Sequence, residues 1–346
     1  MLKTDETYLL DFAKKLLAID SPSGYCAHAI RFMEEEAQAL GYTCTRNRKG
    51  NLLIRVPGTA STHTTALSAH CDTLGLMVRS IKENGTLAVT AIGSPTLPTL
   101  DSEYCRILTR DGDVYTGTIL CTAASKHVHP DAATLTRDAD SLEVRIDEIV
   151  HDKKDVEALG IRNGDYIAID PKTTVTDSGF IKSRFLDDKI SCACLFAVLH
   201  ALKEHAITLK NDLLFVFSTY EEVGHGASSM PADVDAMLAV DMGCIGLDLA
   251  CTEYDVSICA KDSSGPYDYA MTTQLIQLAK QEGLSFAVDI YPMYGSDVSA
   301  ALKGGNDIKG ALIGPGVHAS HGMERTHIQA LNNTVSLILA YLLADA

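Results

Sequence analysis

The 346-residue sequence predicts an α/β fold, with a mostly parallel sheet covered by helices on both faces and a small all-β domain inserted into it. Apolar strands alternate with amphipathic helices in residues 1–72 and 177–346, which is typical of parallel sheets buried on both sides. Residues 73–176 instead contain short β-runs separated by turn signals such as Asn84-Gly85 and Asp111-Gly112. We therefore expect one domain made of 1–72 and 177–346 and a second made of 73–176.

The elements of the larger domain follow from hydrophobic periodicity and from helix stop signals. The first helix, 5–20, has apolar residues at helical spacing and ends at Ser21-Pro22-Ser23-Gly24, and the second, 28–40, ends at Gly41. Three later helices are predicted over 187–205, 270–281 and 327–344. Strands are predicted from short apolar runs over 51–56, 65–69, 213–218, 236–240, 285–291 and 310–314.

The composition restricts the partners and the compartment. The formal net charge of −16 argues against nucleic-acid binding, because a protein that binds the phosphate backbone needs basic surface. The chain begins without the apolar run of a signal peptide, and its longest late apolar stretch, 335–343, is too short to span a membrane. The ten cysteines include no Cys-x-x-Cys pair, which favours reduced thiols in a cytoplasmic protein.

Side chains that bind metals follow three of the predicted strands. One strand ends in His70-Cys71-Asp72, the next in Glu221-Glu222 and the third in Asp241. Asp187-Asp188 begins a long helix, and a late loop contains His318 and His321. Ligands of open α/β sheets gather beyond the carboxyl ends of the strands, so these residues can converge. Imidazole and carboxylate ligands suit zinc, cobalt or manganese, and the lack of thiolates favours an open catalytic site.

Each of these residues also has an ordinary structural explanation. Asp187 or Asp188 could cap the helix, and His70 could be a hydrogen-bonded core histidine. His318 and His321 could be exposed loop residues. The metal-site hypothesis depends on the combination, because turns alone do not explain ligand-type side chains after three strands of one sheet.

The ordered motifs resemble those of the tetrahedral aminopeptidases and the related glutamyl and deblocking aminopeptidases, a family of dinuclear metallopeptidases. The resemblance runs through nearly the whole chain and implies the fold of dinuclear zinc aminopeptidases. It is carried by Ser21-Pro22-Ser23-Gly24, His70-Cys71-Asp72-Thr73-Leu74-Gly75, Arg184-Phe185-Leu186-Asp187-Asp188-Lys189, Glu221-Glu222-Val223-Gly224, Asp241-Met242-Gly243, Gly295-Ser296-Asp297 and His321-Gly322-Met323-Glu324.

The resemblance implies five ligands for two divalent cations, most simply Zn²⁺, with Co²⁺ or Mn²⁺ as alternatives. His70 and Asp241 would bind one cation, Glu222 and His321 the other, and Asp187 would bridge both. His321 is preferred to His318 because Glu324 follows it at the spacing of the family.

The resemblance also assigns the catalytic residues and the assembly. Glu221 would be the general base, and Asp72 would orient His70. A hydroxide bridging the cations would attack the first peptide bond of short peptides with a free N-terminus. The inserted domain would mediate dimerisation, and dimers would build a homo-oligomer of twelve subunits.

Three other functions remain open at the level of the sequence. The protein could be a metallohydrolase that deacylates acyl-amino acids, a glycoside hydrolase that uses paired carboxylates, or a non-catalytic assembly protein. The absence of tryptophan disfavours a sugar-binding platform, and the intact ligand set disfavours a non-catalytic role. Cys71, Thr73, Ser296 and the short His225-Gly226-Ala227 loop depart from the family pattern without removing a ligand.

Overall fold

A computed structural model describes residues 4–60 and 62–344. The chain forms two compact units, one made of the residues up to Asp72 together with those from Lys172 onward, and one made of Thr73–Pro171. The boundaries predicted from the sequence are 72/73 and 176/177. Among the described residues, no helix is both long enough and apolar enough to cross a membrane.

The secondary structure comprises α-helices and β-strands that we number in chain order. The helices are α1 (Glu6–Leu17), α2 (Ala27–Ala39), α3 (Lys153–Ala158), α4 (Leu186–Glu204), α5 (Tyr269–Gln281), α6 (Asp297–Lys303) and α7 (Ile328–Ala344). The strands are β1 (Cys44–Arg46), β2 (Leu52–Val56), β3 (Thr64–His70), β4 (Gly75–Ile81), β5 (Leu87–Ile92), β6 (Tyr104–Leu108), β7 (Val114–Cys121), β8 (Leu142–Ile146), β9 (Tyr166–Ile169), β10 (Thr174–Val175), β11 (Phe180–Ser183), β12 (Asp212–Ser218), β13 (Ala236–Val240), β14 (Gly243–Cys244), β15 (Val256–Asp262), β16 (Gly265–Pro266), β17 (Phe286–Ile290), β18 (Lys309–Val317) and β19 (Glu324–His327).

The larger unit is built on a mixed sheet with a parallel centre. Its strand order is β1-β2-β12-β3-β13-β18-β15-β16, with β14 beside β18 and β17 beside β15. The four central strands, β12, β3, β13 and β18, run parallel to one another. On either side of them, β2 and β15 run antiparallel. The parallel centre matters for function because it brings the carboxyl ends of β3, β12 and β13 to the same edge.

Helices pack on the central strands through apolar side chains. The ring of Phe196 in α4 lies 5.0 Å from that of Phe217 in β12, measured between centroids. Val298 and Ala301 of α6 instead belong to a cluster that includes Val216, the preceding residue of the same strand. Successive strand residues point to opposite faces, so α4 and α6 pack against opposite faces of the sheet. Burial of a side chain such as Phe196 contributes roughly 1.5–3 kcal/mol.

The smaller unit contains a closed barrel with the strand order β4-β5-β8-β7-β6-β9. Its two predicted hairpins are present, and Gly85 and Gly112 at their turns have φ angles of 82° and 96°, where glycine is favoured. The sequence predicted an all-β unit, and the structure adds the short helix α3. The side chain of Asp152 caps α3 by accepting hydrogen bonds from the backbone N–H groups of Lys154 and Asp155.

Candidate metal centre

Three parallel strands deliver the acids and the first histidine to one edge of the sheet. His70 is the last residue of β3 and pairs with Ser218, the last residue of β12. Glu221 and Glu222 follow β12 in a single 3₁₀ turn, and Asp241 directly follows β13. The side chains predicted at the strand ends therefore lie at one edge, because parallel strands end together.

The two aspartates at the start of α4 lie at a kink in its first turn. Phe185 occupies the N-cap position with a φ of 68°, and its side chain makes no capping hydrogen bond. Asp187 and Asp188 both have non-helical backbone angles, and both are buried. The backbone N–H of Asp187 donates to Oε2 of Glu324 at 3.0 Å. The ordinary capping explanation does not account for Asp187, because its carboxylate faces two imidazoles.

The carboxylate of Asp187 lies between two imidazoles. Its Oδ1 is 3.1 Å from Nε2 of His70, and its Oδ2 is 3.4 Å from Nε2 of His321. The same nitrogen of His321 is 3.8 Å from Oε2 of Glu222, and Nε2 of His70 is 3.7 Å from Oε2 of Glu221. One carboxylate thus faces two different ligand-type nitrogens through its two oxygens.

Two groups of side chains bring their donor atoms within 4.8 Å of one another among the described residues. One group is His70, Asp187 and Glu222, and the other is His70, Asp188 and Asp241. Four of these five residues belong to the ligand set that the family resemblance implies. Asp188 does not belong to that set, and the structure adds it. The only signal for it in the sequence is its position next to Asp187.

Neither His318 nor His321 belongs to these two groups, but Nε2 of His321 lies 3.4 Å from Oδ2 of Asp187. His318 is exposed, and its backbone pairs with that of Arg325. His321 has a φ of 63°, in the left-handed region that non-glycine residues rarely adopt, and its backbone N–H donates to Oε1 of Glu324 at 3.1 Å. Glu324 therefore holds the backbone of both His321 and Asp187, a function that the sequence did not reveal.

Asp72 contacts both His70 and the two glutamates. Nδ1 of His70 is 2.9 Å from the backbone carbonyl of Asp72 and 3.5 Å from its carboxylate. The carboxylate accepts hydrogen bonds from the backbone N–H groups of Glu221 at 3.0 Å and Glu222 at 3.2 Å, and from Oγ of Ser23 at 2.5 Å. The predicted orientation of His70 by Asp72 thus involves mainly its backbone carbonyl, while its side chain anchors the Glu221-Glu222 turn.

The buried carboxylates outnumber the nearby cationic groups. Burial is the main cause that raises the pKa of Glu221 and Glu222 well above the usual range of a glutamate. Burial, followed by the charge of Asp187, raises the pKa of Asp241 to about 7. Burial would also raise the pKa of Asp187, but hydrogen bonds from His321 and His70 hold it well below its usual value. Such a concentration of acids is costly unless cations compensate it.

The donor atoms that lack partners fit the same interpretation. Oε1 of Glu222 and Oδ1 of Asp188 are buried, and neither has a hydrogen-bond partner in the described part of the chain. Buried polar atoms are normally satisfied, so unpaired carboxylate oxygens beside imidazole nitrogens are expected at a cation site. The set of nitrogen and oxygen donors fits divalent ions such as Zn²⁺, Co²⁺ and Mn²⁺.

The chain is similar to aminopeptidases in both sequence and fold. A relative from Bacillus subtilis (strain 168), named "Putative aminopeptidase YhfE", is 44% identical over 333 residues and covers 96% of each chain. The fold is similar to that of the aminopeptidase APDkam598 from Desulfurococcus kamchatkensis, with a TM-score of 0.87, 21% identity and coverage of 97% of this chain and 95% of that one. The fold is also similar to that of the Pyrococcus horikoshii TET1 peptidase, with a TM-score of 0.84 and 21% identity. This match covers 96% of this chain and 99% of the TET1 chain. A family model described as M42 glutamyl aminopeptidase matches residues 50–337, and the chain therefore belongs to the M42 glutamyl aminopeptidase family.

Proposed function

We propose that this metal-dependent aminopeptidase uses two divalent cations to release N-terminal residues from short peptides. The observation that carries the proposal is the position of Asp187, whose two carboxylate oxygens face His70 at 3.1 Å and His321 at 3.4 Å. A carboxylate between two imidazoles can bridge two cations held a few ångströms apart. Membership of the aminopeptidase family supports the reaction class.

The ligand assignment is the one that the family resemblance implies, and the 3.8 Å distance between Nε2 of His321 and Oε2 of Glu222 supports it. We assign His70 and Asp241 to one cation, and Glu222 and His321 to the other. Asp188 lies beside His70 and Asp241, which supports it as a further ligand of the cation that these two residues would bind. Its Oδ2 accepts a hydrogen bond from the backbone N–H of His70 at 3.2 Å, which leaves Oδ1 available.

Glu221 is the residue best placed to move a proton. When bound, the two cations would polarise the peptide carbonyl and lower the pKa of a water molecule between them. Glu221 would accept the proton of the attacking water and pass it to the leaving amine. Its Oε2 is 3.7 Å from Nε2 of His70, and the family resemblance makes Glu221 the general base and not a ligand. The surrounding acids would attract the free α-amino group of the substrate and thereby restrict cleavage to the first residue.

The metal and the compartment are proposed on chemical grounds. Zinc is the preferred metal because it accepts imidazole and carboxylate ligands and keeps a position open for substrate, with cobalt and manganese as alternatives. The ten cysteines are all free, which supports action in the reducing cytoplasm.

We further propose that the smaller unit mediates dimerisation and that dimers assemble into a dodecamer. This unit exposes large apolar residues, among them Tyr104, Val128 and Ile149, whose exposed fractions are 63%, 71% and 89%. Assembly through this unit would remove these apolar side chains from water. PhTET1-12s, a protein of similar fold, is a dodecamer in the asymmetric unit. Light scattering at micromolar concentration should give the mass of twelve chains, and a monomer mass would contradict the proposal.

Removal and replacement of the metal tests the function directly. Treatment with a chelator should abolish hydrolysis of aminoacyl anilides, and added Zn²⁺, Co²⁺ or Mn²⁺ should restore it. The same anilides with an acetylated amino group should not be cleaved, whereas a deacylase would release the acetyl group. A glycoside hydrolase that uses two carboxylates would retain its activity in the chelator. Full anilide hydrolysis after complete metal removal would contradict the proposal.

A further inference from the structure

We propose that Asp297 is a positioning residue for peptide hydrolysis, because it fixes the segment 218–227 that carries Glu221 and Glu222. Asp297 is the first residue of α6 and is 3% exposed. It belongs to neither group of candidate metal ligands. The expected effect of Asp297 on turnover rests on the proposed role of Glu221. Its expected effect on the position of the segment does not depend on that role.

The carboxylate of Asp297 binds both ends of this segment. Its Oδ2 accepts a hydrogen bond from Oγ of Ser218 at 2.7 Å, three residues before Glu221. Its Oδ1 accepts one from the backbone N–H of Ala227 at 3.0 Å, five residues after Glu222. One side chain of α6 thus connects the end of strand β12 to the loop beyond the two glutamates. Displacement of either end of the segment would break one of these bonds.

Close packing at Gly226 limits the segment further. A Cβ atom on Gly226 would lie 2.5 Å from Oδ1 of Asp297, 2.8 Å from Oγ of Ser218 and 3.1 Å from the backbone nitrogen of Glu221. These distances are below ordinary van der Waals contact, so the backbone at Gly226 lies directly against the Asp297 carboxylate. The loop and the start of the glutamate turn therefore share one tightly packed anchor point.

Asp297 is itself held by a rigid base. Ser296 and Ser299 form a reciprocal capping box at the start of α6. Oγ of Ser296 is 2.8 Å from the hydroxyl of Tyr267, and Oγ of Ser299 donates to Asp262 at 2.5 Å. These bonds tie the helix terminus to β15 and to the residues after it. These bonds therefore keep Asp297 in place, and its carboxylate can hold the segment in a fixed position.

Asp72 and Asp297 hold different parts of the same segment. Asp72 accepts hydrogen bonds from the backbone of Glu221 and Glu222, whereas Asp297 binds Ser218 and Ala227 outside them. Loss of Asp297 should leave the bonds to Asp72 in place but loosen the frame around them. We therefore expect partial misplacement of Glu221 and not unfolding of the domain.

The test compares Asp297→Ala with Asp297→Asn in the full-length protein. Asn keeps an oxygen for the N–H of Ala227 and an amide that can donate to Ser218, whereas Ala loses both bonds. With saturating Zn²⁺, Asp297→Ala should lower kcat per metal-loaded site by roughly 10- to 100-fold, the range found when partners outside the ligand shell are removed. KM should change less than about twofold, because only positioning is altered. Asp297→Asn should retain most of the activity.

Hydrogen exchange gives a readout that does not depend on catalysis. In metal-free protein, Asp297→Ala should increase exchange of peptides covering 219–227, while Asp297→Asn should exchange like the wild type. The matched control is Asp268→Ala, which removes the N-cap of α5, where Asp268 accepts a bond from the N–H of Met271. It should lower stability without changing kcat or exchange in 219–227. Unchanged exchange in Asp297→Ala would overturn the proposal, whether or not the protein proves to be a peptidase. Increased exchange with unchanged kcat would overturn the link to turnover.

Discussion

Glu221→Gln should lower kcat for aminoacyl anilides by roughly 10²- to 10⁴-fold, which is the usual contribution of general acid–base catalysis. Glutamine has the same shape but cannot accept the proton of the attacking water at neutral pH. The metal content should stay at the wild-type value, because the family resemblance makes Glu221 the general base and not a ligand. The measurement is steady-state kinetics together with metal analysis of the same preparation.

The control for this variant is Glu282→Gln, an exposed glutamate at the end of α5. It makes the same chemical change on the surface of the same unit and should leave kcat and metal content unchanged. Near-normal turnover of Glu221→Gln would remove Glu221 from the mechanism. Loss of metal from that variant would instead make Glu221 a ligand.

Asp187→Asn should remove the shared carboxylate and with it the stable binding of two cations. An amide carries no charge and presents only one oxygen, so it cannot face both His70 and His321 with anionic donors. We expect fewer than one cation per chain after dialysis and a loss of activity at least as large as that of Glu221→Gln. A ligand that binds only the folded state raises the melting temperature. Added Zn²⁺ should therefore stabilise the wild type and have little effect on this variant.

The control for Asp187→Asn is Asp248→Asn, which makes the same change at an exposed position. Its metal content and its stabilisation by Zn²⁺ should match those of the wild type. If Asp187→Asn kept two cations per chain and its stabilisation by Zn²⁺, Asp187 would not be the bridging ligand.

The parts of the site that follow strands could be predicted from local sequence. His70, Glu221, Glu222 and Asp241 follow apolar strand patterns directly, and parallel strands bring their ends to one edge. The position of Asp187 between two histidines could not be predicted in this way, because His321 lies 134 residues beyond it. The family resemblance implied that arrangement, and the contacts of the Asp187 carboxylate agree with it.

Several elements gave no usable periodic signal. Helices α3 and α6 have six and seven residues, fewer than two full turns, so hydrophobic periodicity could not reveal them. Strand β15, which pairs with β18, β16 and β17 in the larger sheet, was not predicted. Closure of the barrel was not predicted either, because it depends on pairing between strands that are distant in sequence, such as β4 and β9.

The contributions of Asp297 and Glu324 escaped prediction for a related reason. Both side chains act by accepting backbone or hydroxyl hydrogen bonds from distant segments. Such contacts leave no spacing pattern around the residue itself. Both residues belong to motifs that resemble those of the family, but only the structure shows which backbone and hydroxyl groups they bind.

Anomalous diffraction from crystals of the zinc-loaded protein tests the central claim most directly. We predict two peaks of comparable height, about 3.5–4 Å apart, with one oxygen of Asp187 near each peak. His70 and Asp241 should contact one ion, and Glu222 and His321 the other. A single fully occupied peak at saturating zinc, or an Asp187 carboxylate that contacts only one ion, would contradict the account.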